Sequence, residues 1–141
     1  MITRRASATW EGGLKNGKGS FKGQTGLAAQ YSFNSRFENG TGSNPEELLA
    51  AAHAACFSMA LALGLEQAGK PATKIETQAA CNLEQKGSGF RVTTMKLTTR
   101  AQVPGLDGPT FQKIAEATKE GCPISNVMKG NVQLELDAQL L

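Results

Sequence analysis

Asn44-Pro45-Glu46-Glu47-Leu48-Leu49-Ala50-Ala51-Ala52-His53-Ala54-Ala55-Cys56-Phe57-Ser58-Met59-Ala60-Leu61-Ala62-Leu63-Gly64-Leu65-Glu66-Gln67 reads as one long helix. Asn44 is a capping residue, Pro45 fits the first helical position, and two carboxylates complement the positive end of the helix. Gly69 supplies a left-handed stop, with Pro71 beyond it. The apolar run from Leu48 to Leu65 is mostly alanine and carries His53, Cys56 and Ser58. That composition predicts the buried central helix of a globular domain rather than a membrane span.

On the N-terminal side, Thr3 to Trp10 and Leu14 to Phe21 flank Glu11-Gly12-Gly13 and predict a hairpin. The sheet is expected to continue through Gln30 to Phe37, with Tyr31, Phe33, Ser35 and Phe37 on one face and Arg36 turned to the other. On the C-terminal side, Thr73 to Glu84 alternates, placing Ile75, Thr77, Ala79, Cys81 and Leu83 toward the core. Phe90 to Val103 is a second long strand whose apolar phase shifts between Val92 and Met95, the mark of a bulge. A helix opens at Pro109 or Thr110 and runs through Lys119, with Phe111, Ile114, Ala115 and Thr118 at helical spacing. Gly121 ends it, Cys122-Pro123 restarts a short helical turn through Met128, and Asn131 to Ala138 alternates as a last strand. This order predicts an α+β fold, antiparallel sheets around a long central helix, in a single domain over residues 1–141.

With 141 residues, 40% hydrophobic and 19% charged, the chain belongs with globular proteins rather than disordered or fibrous ones. Its formal charge of +3 is too small to argue for nucleic acid. Residues 1–45 hold six basic and two acidic side chains and the rest nine and ten, so no basic patch stands out. No apolar segment follows Met1-Ile2-Thr3-Arg4-Arg5, so the expectation is a cytoplasmic protein that neither carries a secretory signal nor meets a membrane. Three cysteines, Cys56, Cys81 and Cys122, are too few and too spread for a disulfide-stapled scaffold, which leaves packing or chemistry.

Cys56, inside a helix of very small residues, is either a small buried hydrophobe or a reactive thiol. Cys122, between Gly121 and Pro123, occupies a helix N-cap: it either substitutes for a Ser or Asn cap or uses the free backbone N–H groups to favour a thiolate. Cys81 lies on the apolar face of an alternating strand and reads as structural. His53 is three residues before Cys56 on the same helical face. A structural zinc lacks two further ligands, and a Cys-His hydrolase dyad lacks an exposed turn and oxyanion donors, so His53 is expected to be a packed or hydrogen-bonded histidine. Gly-Ser-Gly and Gly-Thr-Gly occur outside any strand-to-helix phosphate context.

Phe33-Asn34-Ser35-Arg36-Phe37, Thr41 to Leu48, and Ala51-Ala52-His53-Ala54-Ala55-Cys56-Phe57-Ser58-Met59-Ala60-Leu61 closely resemble the osmotically inducible protein C (OsmC) family. Val103-Pro104-Gly105, Phe111 and Gly121-Cys122-Pro123-Ile124-Ser125 match in order and spacing, as do Trp10-Glu11-Gly12 and Gly17-Lys18-Gly19, so the likeness covers nearly the whole chain. The position of the arginine, expected on the third strand next to the Asn-Pro-Glu-Glu helix start, is similar to the OsmC branch more than to the organic hydroperoxide resistance (Ohr) branch. The resemblance implies a thiol peroxidase that reduces organic hydroperoxides, with Cys56 peroxidatic, Cys122 resolving, and Arg36 and Glu46 as polar partners. It implies no cofactor beyond the cysteines, an external dithiol or lipoyl-type reductant, and an intertwined homodimer with sites at the subunit interface. The rival reading is a non-catalytic ligand-binding or structural member of the same fold. Ten residues of helix separate Glu46 from Cys56, about 15 Å of rise, so Glu46 reaches that thiol only through a bend, a later helix start or the partner chain.

Overall fold

The structure, a computed structural model, describes residues 1–141. The chain divides into two compact units, residues 1–48 and 49–141. In the first, β1 (Ala6–Glu11), β2 (Lys18–Gly23) and β3 (Ala28–Tyr31) form an antiparallel meander. Gly19 of β2 lies between Trp10 and Tyr31: a Cβ there would stand 2.6 Å from both rings, so only glycine lets them close to a centroid separation of 5.4 Å.

The expected strand over Gln30 to Phe37 stops early. Ser32 caps a short helix, α1 (Phe33–Phe37), in which Ser35 N–H donates to Ser32 Oγ at 3.0 Å and Ser32 N–H donates to Ser35 Oγ at 2.9 Å. This reciprocal cap satisfies backbone donors locally and outweighs the alternating pattern. Phe33 and Phe37 are therefore helical neighbours four apart, with ring centroids at 4.9 Å. Arg36 does not turn away from the aromatic side, because its guanidinium lies 5.2 Å from the Phe37 ring centroid.

α2 (Pro45–Gln67) has the predicted limits. Glu47 N–H donates to Asn44 Oδ1 at 2.8 Å, and Gly69 takes a φ of +75° just past its end. The burial expected for this helix is reached on one stripe only. His53, Phe57, Leu61 and Leu65 are fully buried, while Leu49, Met59 and Leu63 are exposed. The helix is apolar all round, and the rest of the chain covers one side of it. By length and composition α2 is also long and apolar enough to cross a membrane, and 22% of its most apolar window is buried.

In the second unit, β4 (Lys74–Lys86) and β5 (Gly89–Gln102) pair antiparallel, and the register slips where Asn82 faces Thr94 but Leu83 faces Val92. Thr93 is the extra residue of the predicted bulge. β6 (Gln133–Leu140) corrects the expectation of wholly antiparallel sheets, since it pairs parallel to β5. The intervening helices, α3 (Gly108–Gly121) and α4 (Pro123–Met128), make the long crossover a parallel pair requires. The α+β class stands with that change. Phe57, Leu61 and Leu65 pack into one core with Leu97 and Ala101 of β5, Phe111 and Ala115 of α3, and Ala138 of β6. Each large side chain there contributes about 1.5–3 kcal/mol of burial, which fixes α2 beside the Gly121-Cys122 junction.

Candidate active site

Cys122 joins α3 to α4. Gly121 ends the first helix and Pro123, lacking an N–H, opens the second, so Cys122 is the residue left to cap α4. Ser125 N–H donates to Cys122 Sγ at 3.3 Å, and Ser125 Oγ lies 3.1 Å from the same sulfur. The side chain is 1% exposed.

Cys56, half-buried on α2, meets this junction from the helix. Burial pushes its thiol above the ordinary value of 9.0, a hydrogen bond from the Ile124 backbone opposes that rise, and the hydrogen bond and charge of Cys122 reinforce it. Both cysteines are free thiols. Residues 49–141 thus bring together the two cysteines singled out by sequence, and they give Cys56 surroundings that favour the neutral thiol. Cys81 sits elsewhere, half-buried in the middle of β4 opposite Met95.

His53 is packed and hydrogen-bonded as expected. It is fully buried, its Nε2 lies 2.8 Å from Ser125 Oγ, and its Nδ1 has no partner. Burial holds the imidazole below its ordinary 6.5.

In residues 1–48, Arg36 and Glu46 form a forked ion pair. Arg36 Nε donates to Glu46 Oε1 and Oε2 at 3.0 and 3.2 Å, and Nη2 donates to Oε1 at 2.7 Å. Glu46 is held rigid by its place in the first turn of α2, and its side chain is 11% exposed against 36% for Arg36. The loop between α1 and α2 is tied as well: Ser35 Oγ donates to the Ser43 carbonyl at 2.7 Å and Asn44 Nδ2 donates to the Ser35 carbonyl at 3.1 Å. A hollow of about 240 Å³ opens beside the guanidinium, lined by Trp10, Leu14, Tyr31, Phe33, Arg36 and Phe37. It offers an apolar wall next to a fixed cation, an arrangement suited to a molecule with an alkyl or aryl body and a polar head.

Ser125 and the Ile124 amide belong to the Gly121-Cys122-Pro123-Ile124-Ser125 motif, which by itself assigns them no task. The signal was present in the spacing: a capping residue at Cys122 and a hydroxyl three positions on, in the pattern of a helix N-terminus. Trp10 and Tyr31 lie on β1 and β3, and their part in the hollow depends on the turn of the chain into α1.

Fold and thiols together define a class of small α+β proteins with a long apolar helix and two apposed free cysteines, one half-buried and one buried. The chain belongs to the OsmC-like family: the family model described as "OsmC-like protein" matches residues 38–137. It is 46% identical over 136 residues to Peroxiredoxin OsmC of Escherichia coli (strain K12), covering 95% of each chain. It is 35% identical over 106 residues to the organic hydroperoxide resistance protein OhrB of Bacillus subtilis (strain 168), covering 74% of this chain and 75% of that one. A crystal structure of an organic hydroperoxide resistance protein from Elizabethkingia anophelis, with thiocyanate bound, superposes with a TM-score of 0.77 at 28% identity, covering 100% of this chain and 98% of that one.

Proposed function

We propose that this protein is a cysteine-based peroxidase that reduces organic hydroperoxides to alcohols. The observation that carries the proposal is the meeting of the free Cys56 and Cys122 thiols, with a backbone amide on the first. The names of its relatives, a peroxiredoxin and organic hydroperoxide resistance proteins, support the same chemistry.

In the proposed cycle the Cys56 thiolate attacks the distal peroxide oxygen and the O–O bond breaks. The alkoxide leaves and takes a proton to become the alcohol, and Cys56 becomes a sulfenic acid. Cys122 sulfur then displaces the hydroxyl of that acid, which departs as water with the proton Cys122 gave up, and a Cys56–Cys122 disulfide forms. An external dithiol of the lipoyl type restores both thiols. Cys56 needs a cation to ionise readily, because its burial works against the thiolate. Arg36 is assigned that task, oriented by Glu46, and the apolar hollow beside it is assigned the organic group of the substrate. The uncovered apolar residues of α2, Leu49, Met59 and Leu63, favour a homodimer in which a second copy covers them.

The test is consumption of cumene hydroperoxide with dihydrolipoamide as reductant. Wild type is expected to turn over and Cys56→Ser to lose all activity above background. Equal rates in the two would remove Cys56 from the reaction.

A further inference from the structure

Beyond the thiol pair, the second unit holds a buried polar chain that the cycle above does not use: His53 Nε2 to Ser125 Oγ at 2.8 Å, and Ser125 Oγ to Cys122 Sγ at 3.1 Å. All three side chains are at most 1% exposed. Polar groups buried this deeply are costly unless each is hydrogen-bonded, which requires every donor to meet an acceptor. The unpartnered Nδ1 sets the direction of the chain. A buried N–H without an acceptor is rarer and more costly than a bare ring nitrogen, so the imidazole hydrogen belongs on Nε2. Nε2–H then donates to Ser125 Oγ, and the Ser125 hydroxyl spends its own hydrogen on Cys122 Sγ. Together with the Ser125 backbone N–H at 3.3 Å, the sulfur receives two donors from one residue. The titratable groups that meet it are Cys56 directly and His53 through Ser125, both from α2. The hydrophobic core that Cys122 joins holds Phe111 and Ala115 of α3, Leu97 of β5 and Ala138 of β6, and the Thr118 carbonyl of α3 accepts from the Cys122 N–H.

We propose that His53 and Ser125 are positioning residues for Cys122, a donor chain that stabilises negative charge on its sulfur whenever that sulfur attacks Cys56 or is expelled from it. This rests on the pairing of Cys56 with Cys122 in the proposed cycle and deepens it. Neither residue gains or loses a proton. In closure, the Cys122 sulfur forms the S–S bond as the Cys56 S–O bond breaks and water leaves. In reopening, an external thiolate attacks Cys56, the half-buried and more accessible sulfur, and the S–S electron pair departs onto Cys122. Both transition states place charge on Cys122, where a hydroxyl donor strengthens most. Burial favours the neutral imidazole, consistent with a donor that is never itself charged.

The opening of the disulfide can be followed without peroxide. The disulfide is formed with diamide in wild type, Ser125→Ala, His53→Leu and His53→Gln, and its opening by dithiothreitol is followed by stopped flow. Losing the hydroxyl donor to an anionic sulfur is expected to slow opening about tenfold in Ser125→Ala, and losing the imidazole that orients this hydroxyl is expected to slow it to a lesser, severalfold extent in His53→Leu. His53→Gln, whose amide N–H reaches the same hydroxyl, is expected to regain most of the rate, a rescue that a purely packing role does not produce. Closure after cumene hydroperoxide is expected to slow by a similar factor relative to the first oxidation of Cys56. Opening at the wild-type rate in Ser125→Ala, or a His53→Gln chain no faster than His53→Leu, overturns the inference. A wild type that consumes no peroxide but shows this dependence on Ser125 and His53 loses the peroxidase reading and keeps this one.

Discussion

Replacing Glu46 by alanine removes the anchor of Arg36 and keeps its charge. Three hydrogen bonds of 2.7 to 3.2 Å hold that guanidinium now, over both carboxylate oxygens. Freed, an arginine side chain regains up to about 2 kcal/mol of rotamer entropy. The contact with the Phe37 ring at 5.2 Å retains about 0.5–1 kcal/mol of order. The anchored orientation is therefore depopulated by some 1–1.5 kcal/mol, and the first oxidation of Cys56 is expected to slow about tenfold, since each 1.36 kcal/mol is a factor of ten. The cost to folding is separate. With Arg36 a third exposed and Glu46 mostly covered, the pair lies between surface and buried salt bridges, and its loss is expected to destabilise by about 1–2 kcal/mol. Stopped-flow oxidation of the reduced protein by cumene hydroperoxide reads the first effect and urea unfolding the second. Arg36→Lys, which keeps the charge and loses the fork, should fall between wild type and Glu46→Ala in rate. A Glu46→Ala chain that is destabilised yet oxidised within twofold of wild type would mean that the pair serves the fold alone.

Three other outcomes are expected. Cys122→Ser removes the resolving thiol, so one equivalent of peroxide should leave Cys56 as a sulfenic acid trapped by dimedone, and failure to trap it would count against Cys56 as the attacking atom. Organic hydroperoxides should oxidise Cys56 tens of times faster than hydrogen peroxide. About 100 Å² of extra apolar burial against Trp10, Tyr31, Phe33 and Phe37 is worth some 2.5 kcal/mol, and equal single-turnover rates would make the hollow irrelevant. Stability should fall as pH drops below His53's ordinary value of 6.5, because its folded pKa is depressed and the unfolded chain takes up a proton the folded one refuses. His53→Gln should flatten that acid-side loss in the urea midpoint, and an unchanged slope would assign it to other groups.

α2 is legible from its start to about its last turn because its signals are local: an Asn-Pro start, two carboxylates and a glycine stop. The N-cap at Cys122 and the bulge at Thr93 were legible for the same reason. The strand read through Phe37 was not, since Phe33 and Phe37 satisfy both a two-residue and a four-residue spacing. Only the reciprocal bonds of Ser32 and Ser35 decide between them. The parallel pairing of β6 is a matter of topology, which alternation along one strand cannot carry. The thiol pair was named from a motif, but its partners were hidden. Ser125 lies 72 positions along the chain from His53, and only the tertiary fold brings the two together.

The proposed cycle turns on the pairing of Cys56 with Cys122, which is read by treating the reduced protein with one equivalent of cumene hydroperoxide and mapping its peptides under non-reducing conditions. An intramolecular Cys56–Cys122 disulfide, with Cys81 recovered as a free thiol, is the predicted result. A bridge that includes Cys81, or no peroxide-dependent bridge at all, would contradict it.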